Sequence, residues 1–116
     1  MQQKSIPLKM IDQCRQIFDA LNEAIIITDL DFKILMINKY AELLFGYTEN
    51  EAIGKRTLEL IAPRELHKKY PKSSDLFKDS SETVKEFIVK NKFGRIFQAS
   101  VKLRPFINDV GDAIGI

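Results

Sequence analysis

Two short apolar runs, Ala24–Thr28 and Ile34–Ile37, flank a polar turn, and neither alternates between apolar and polar residues. A strand with one wet face alternates with period two, so runs that fail to do so must be shielded from water on both sides. The chain therefore has to supply cover for two faces of a sheet. Helical patterns after Asn38 serve one face. For the other, the remaining amphipathic element is the segment from Leu8 to Leu21, where Ile11, Cys14, Phe18 and Leu21 recur at intervals of three and four and fall on one helical stripe. The same spacing fits two short heptads, so the stripe predicts either docking on the sheet or pairing with a second subunit.

Beyond Asn38 the local signals are dense. Ala41, Leu44 and Phe45 form the apolar side of a short helix, and Gly46 suits a left-handed C-terminal cap. Thr48 and Glu51 have the spacing of a capping box that starts another helix. Pro63 and Pro71 punctuate the next stretch, with Ser73, Ser74, Ser80 and Ser81 marking loops around a helical turn at Leu76 and Phe77. From Val84 to Phe106 two strand patterns flank Asn91-Lys92-Phe93-Gly94, a hairpin turn in which Gly94 can take a positive φ. The second strand alternates, with Phe97, Ala99, Val101 and Leu103 on one face and Gln98, Ser100, Lys102 and Arg104 on the other. Asn108–Gly111 supplies a further turn before the final apolar stretch.

An aspartate ending the first strand (Asp29), an asparagine ending the second (Asn38), a Gly-Tyr pair (Gly46, Tyr47), an acidic helix (Glu51) and a glycine (Gly54) occur at intervals that resemble a PAS (Per-Arnt-Sim) domain. The resemblance covers roughly residues 16–116. It implies an α+β fold: a five-stranded antiparallel sheet, short helices on one face, and the N-terminal amphipathic helix on or near the other. Residues 1–22 are then the N-terminal helix and 23–116 the PAS domain, whose last strand, Asp112–Ile116, lies in the middle of the sheet beside the first. Because the chain stops within that strand, the expectation is a sensor domain excised from a longer protein, with an effector beyond Ile116. The implied role is signal sensing and transduction rather than catalysis. A sensor histidine kinase of a two-component system is the expected host, with cyclic-dinucleotide enzymes and transcription regulators as other hosts. The implied partners are a second copy, held through the N-terminal helix as a homodimer, and the covalently attached effector. A ligand-free, constitutive dimerisation domain is the alternative.

Composition agrees with a single domain of 116 residues, large enough to bury roughly two thirds of its unfolded surface. Hydrophobic residues at 45% and charged residues at 29% are ordinary globular values, and the longest uncharged apolar run is far short of the ~18 residues that cross a bilayer. With no signal-peptide pattern the expected location is cytoplasmic. One cysteine, Cys14, excludes an internal disulfide and a Cys-rich zinc site. The net charge of +2 gives no general attraction to nucleic acid or to a membrane surface. The one dense basic patch, residues 67–72, reads as a solvated helix end.

No catalytic constellation emerges. Asp29 and Asp31 fit a turn better than a metal or acid–base pair, since aspartate side chains bond to nearby backbone. His67 is the only histidine, and no nucleophile is spaced to pair with it. The glycines are isolated and open no phosphate cradle. Flavin-binding members of the resembled family carry a reactive cysteine three residues after the glycine that matches Gly54; here that position is Thr57. Heme-binding members carry a histidine where this chain has Tyr70, with His67 almost one helical turn away. These departures predict a colourless domain without heme or flavin, and leave an apolar small ligand as the class the sequence allows. The candidate cavity residues are Tyr70, His67, Phe97, Ala99 and Val101, with Ala99 making room beside an otherwise apolar strand face. Phe32 and Phe93 stand at turn positions where the family usually has glycine and aspartate. Each predicts packing against a neighbouring segment or, in the sharper reading, a surface that docks a partner.

Overall fold

The computed structural model describes residues 6–63, 83–107 and 113–116. His67, Tyr70, the basic patch at 67–72, the helical turn expected at Leu76 and Phe77, and the turn at 108–111 all lie outside the described residues. In chain order the elements are α1 (Leu8–Ala20), β1 (Ile26–Thr28), β2 (Ile34–Ile37), α2 (Lys39–Phe45), α3 (Glu49–Ala52), α4 (Thr57–Ile61), β3 (Thr83–Lys90), β4 (Ile96–Leu103), β5 (Phe106–Ile107) and β6 (Ala113–Gly115).

The strands pair antiparallel as β1 with β2, β3 with β4 and β5 with β6. Thr28 and Ile116 exchange both backbone hydrogen bonds, at 2.8 and 2.9 Å, which joins the end of β6 to β1. Between β4 and β5 stand only Arg104 and Pro105, and a proline has no N–H to give to a ladder. Taken as one strand broken at that proline, β4 and β5 complete the expected five-stranded antiparallel sheet, with the last strand beside the first. The close approach of β6 to its neighbours explains Gly115, where a Cβ would run into the Ile6 side chain and come within 2.8 Å of the Thr28 carbonyl oxygen.

Both faces of β1 and β2 are covered, as their composition requires. On the inner face Ile34 and Ile37 pack with Ala41 and Phe45 of α2, Ala52 of α3, Leu60 of α4 and Val89 of β3. On the outer face Ile27 and Met36 pack with Ile6 and Ile11, and Phe18 and Phe106 close around them. A register shift sharpens the pattern. Ile27 pairs with Met36 but Thr28 pairs with Ile34, so Leu35 is the extra residue of a β-bulge and lies with Met36 against the outer cluster. A bulge is a second reason that residues 34–37 do not alternate.

The stripe on α1 docks on the sheet through Ile11, which is 4% exposed, and Phe18. Leu21 departs from the expected stripe. The helix ends at Ala20, Leu21 is its extended C-cap with ψ 143°, and its side chain is 44% exposed.

Three polar ties add to that contact. Asp19 Oδ1 accepts from the backbone N–H of Lys39 at 3.0 Å and so serves the first turn of α2. Arg15 Nη1 donates to both Glu49 carboxylate oxygens at 2.8 Å, and this bond is the chief reason the guanidinium pKa is raised. The third tie is Asn38, which is fully buried. Its Oδ1 accepts from Ile25 N–H (2.9 Å) and Ala41 N–H (3.0 Å), and its Nδ2 donates to the carbonyls of Phe18 (2.8 Å) and Glu23 (2.7 Å). Those four bonds use both donors and both acceptor sites of the amide.

Two turns share one design. Asp29 Oδ1 accepts from the N–H groups of Asp31 and Lys33, both at 2.9 Å, and Asn91 Oδ1 accepts from those of Phe93 (3.0 Å) and Arg95 (2.9 Å). Each turn carries a left-handed residue three places after the Asx: Phe32 at φ 61° and Gly94 at φ 88°. Both are three-residue hairpins closed by a left-handed residue, and Phe32 does in one what glycine does in the other.

Replacing Asn38 by Leu keeps the size of the side chain but takes away the partner of the Ile25 and Ala41 N–H groups and of the Glu23 carbonyl, and one of the two donors to the Phe18 carbonyl. We expect a loss of about 3 kcal/mol or more in urea unfolding; a loss below about 1 kcal/mol would contradict the hub role of the amide. Ile11→Glu is expected to unfold the domain, whereas Ile17→Glu, at a residue 63% exposed, is expected to stay within about 0.5 kcal/mol of the parent.

Candidate functional site

The space enclosed by the inner sheet face and the helices α2, α3 and α4 is where a ligand could be held, and its walls are set by the alternation of the strands. β4 turns Phe97, Ala99, Val101 and Leu103 inward as half-buried residues, while the residues between them are exposed. Phe97 stacks on Phe45 with ring centroids 6.1 Å apart and planes inclined by 27°, and Ala99 packs on the same cluster. Val101, paired across the ladder with Lys85, is half-buried on the same face.

Between β1, β2 and the helices remains a cavity of about 10 Å³, lined among the described residues by side chains that include Ile26, Ile34, Phe45, Tyr47 and Leu60. That is room for about one water at most. Its walls are apolar; the hydroxyl of Tyr47, whose side chain is among them, donates to the Leu60 carbonyl at 3.3 Å. Such walls can hold an apolar guest only by repacking, and they offer no acid, base or nucleophile. Of the described cavity candidates, Phe97, Ala99 and Val101, none lines this cavity. Phe97 instead lines a second, open groove of about 170 Å³ with Leu44, Asn91 and Arg95. Tyr47 and Leu60 were missed as cavity residues. The usable signal for Leu60 was the apolar pair Leu60-Ile61 closing a helix that starts near Thr57.

The remaining candidates act locally. Asp29 holds its turn, as its position at a strand end suggested, and Asp31 contributes a backbone N–H to it. Thr57, at the flavin-cysteine position, begins α4 and donates through both its N–H (3.0 Å) and its Oγ1 (3.3 Å) to the Phe32 carbonyl. Among the described residues no group of three or more His, Cys, Asp and Glu side chains could hold a metal ion. No helix of the described residues is long and apolar enough to cross a membrane.

The α2–α3 corner that roofs the cavity is clamped from outside. Gly46 takes φ 79° as the C-cap of α2, and the Thr48–Glu51 capping box opens α3. Lys92, on the β3–β4 hairpin, donates its N–H to the Phe45 carbonyl at 2.8 Å and its Nζ to Glu51 at 2.7 Å. The bond from Lys92, then that from the Thr48 backbone, lowers the Glu51 pKa to about 2.

A sheet ordered β2–β1–β6–β5/β4–β3, a buried asparagine capping the helix after the second strand, and helices folded over one face form a recognisable whole. The family model described as PAS fold matches residues 12–116. The chain belongs to the PAS family. Among solved structures it is similar to the PAS domain of a protein from Colwellia psychrerythraea, at 25% identity and a TM-score of 0.75, covering 91% of this chain and 90% of that one. The Rhodobacter sphaeroides LOV protein matches at 18% identity and a TM-score of 0.78 over 95% of this chain and 64% of its own. The PAS domain of Bordetella pertussis BvgS matches at 18% identity and 0.70, covering 92% and 81%. No curated protein sequence matches. The chain is thus a PAS sensory domain, and its likeness to the LOV protein and to BvgS is one of fold.

Because the folded Glu51 carboxyl titrates near 2 against an ordinary value of 4.5, its contribution to stability is complete above about pH 4.5 and is lost as pH falls toward 2. Carbon-detected NMR titration is expected to find Glu51 still ionised at about pH 3.5, and Glu51→Gln is expected to flatten the acid limb of stability in that window. A Glu51 titration at its ordinary value would show that the Lys92 clamp is not formed.

Proposed function

We propose that this PAS domain is the sensing module of a larger cytoplasmic regulatory protein and works as a homodimer that passes changes in core packing to an attached effector through α1. A sensor histidine kinase is the host we favour on the family resemblance. The observation that carries the reading is the bonding of Asn38. One amide binds the last turn of α1, the entry to β1 and the first turn of α2, so a shift of the helices over the inner face is felt by the helix on the outer face. In this reading residues 1–22 are the transmitting element and 23–116 the sensing domain.

The apolar residues of α1 available for a second copy flank the stripe docked on the sheet. Ile17, near the end of the helix, and Leu21, its C-cap, are 63% and 44% exposed. Changing both to Glu is expected to move the protein from dimer to monomer in sedimentation while leaving its unfolding midpoint near that of the parent. A dimer that survives both changes, or a parent that is monomeric, refutes the proposal.

A ligand-free, constitutive dimerisation domain is the second reading, favoured by the small inner cavity of about 10 Å³. An apolar ligand or heme in a reopened core is the third. Native mass spectrometry separates them. The purified chain is expected to appear without added mass and without a Soret band after hemin titration; a retained small molecule would establish the ligand-sensing form, and a Soret band that His67→Ala removes would establish heme.

A further inference from the structure

One surface of the domain is left uncovered by the docking of α1 and by the inner core. Helix α2 points Ala41 and Phe45 inward, yet Tyr40, Leu43 and Leu44, at positions i, i+3 and i+4, form an outer apolar stripe that is 43%, 84% and 38% exposed. The stripe continues across the C-cap of α2. A Cβ on Gly46 would lie 3.0 Å from the Phe93 ring, so the ring sits beside the helix end while remaining 81% exposed. Next to it, Leu44 and Phe97 form the apolar part of the 170 Å³ groove, with Asn91 and Arg95 as its polar part. Single exposed hydrophobes are ordinary, but a contiguous set with a groove at its side marks an interaction surface.

Two cations at this surface have no ionic partner among the described residues, while the carboxylates near it, though still charged, are hydrogen-bonded to other groups. Glu42 is engaged at 2.8 Å by the Glu49 N–H, and Glu51 is paired with Lys92 at 2.7 Å. Lys39, at the N-terminal end of the stripe, and Arg95, at the groove, are exposed and form no ion pair among the described residues. The groove is too small for an ordinary ligand pocket, but it is similar in volume to a cavity of ~150 Å³ that admits benzene, and so to a single phenyl-sized side chain.

We infer that the outer stripe of α2 and the β3–β4 hairpin together form a docking surface for an acidic amphipathic segment of another protein, which seats one apolar side chain between Leu44 and Phe97 and sets carboxylates against Arg95 and Lys39. A partner of this kind combines an anchor in a pocket with charge complementarity at the rim. The surface adjoins α1 at Lys39, whose N–H is accepted by Asp19, but its groove is lined by Leu44, Asn91, Arg95 and Phe97 and not by Ile17 or Leu21, so the inference does not depend on dimerisation through α1.

The test uses the 116-residue chain and three synthetic helical peptides. One has a Leu/Phe stripe with Glu elsewhere, one has the same stripe with Lys elsewhere, and one is acidic with Ser in place of the stripe. Amide NMR shifts are expected from the first peptide alone, centred on residues 40–46 and 91–97. Leu43→Ser with Phe93→Ser should weaken binding at least about tenfold. Arg95→Glu should shift preference toward the basic peptide. Circular dichroism and the unfolding midpoint of each variant establish that the fold is kept; a variant that loses it is replaced by Leu43→Gln or Arg95→Gln. The inference is overturned by equal binding of the acidic and basic stripes, by shifts confined to other surfaces, by no shifts at millimolar peptide, or by self-association of the parent that Leu43→Ser abolishes, which would assign the surface to a second copy.

Discussion

Asn38 is the interaction on which the rest of this domain depends. A primary amide has two donors and two acceptor sites, and here all four are spent on backbone groups from three different segments. Glu23 would otherwise leave its carbonyl unpaired where the chain turns into β1, and the Phe18 carbonyl at the end of α1 would keep only the Leu21 N–H. Ala41 would leave an N–H unpaired at the start of α2. In a low-dielectric interior such bonds are strong when complete and costly when broken, so one buried side chain fixes where the outer helix stops, where the first strand begins and where the inner helices start.

This geometry makes α1 part of the domain rather than an appendage. Its apolar stripe covers the outer face of β1 and β2, and Asp19 and Arg15 reach past the edge of the sheet to the starts of α2 and α3. The ion pair between Arg15 and Glu49 is half-exposed, so its worth is modest; its effect is to set the position of α1 along the sheet. The inner face is closed differently, by large side chains that leave little free volume and by the hairpin clamp from Lys92 to Phe45 and Glu51. Among the described residues the free volume on this face is about 10 Å³, so a guest there would have to repack the core. The outer side of α2 has the opposite character, with apolar groups in water and a groove that carries Asn91 and Arg95.

Much of the architecture was legible because it rests on local physics. Asx residues at turns, glycine at a helix cap, and Thr-x-x-Glu at a helix start act over a few residues, so Asp29, Asn91, Gly46 and the Thr48–Glu51 box stand where the sequence put them. The alternation of β4 and the two-faced burial of β1 and β2 were equally readable, since strand period and composition report burial directly. The bulge at Leu35 and the break at Pro105 altered strand bookkeeping without altering the fold. The candidate site was less legible. Phe97, Ala99 and Val101 were rightly placed on the inward face, but which inward residues surround free space depends on how helices settle over a sheet, and that is a matter of side-chain volumes summed across several elements.

The sequence by itself determined the order of elements, the cover needed on both faces of the first two strands, the turn and cap chemistry, and membership in the PAS family, because each arises from patterns within one segment. Only the tertiary structure decided which side of α1 is consumed by the sheet and which stays exposed, since a stripe of three-and-four spacing suits a sheet as well as a second helix. It alone brought Asn38 to the end of α1, Lys92 to Glu51, and Phe93 to the cap of α2. Those contacts join residues 20 to 47 positions apart, and no periodicity within a segment carries information about which distant segment it will meet.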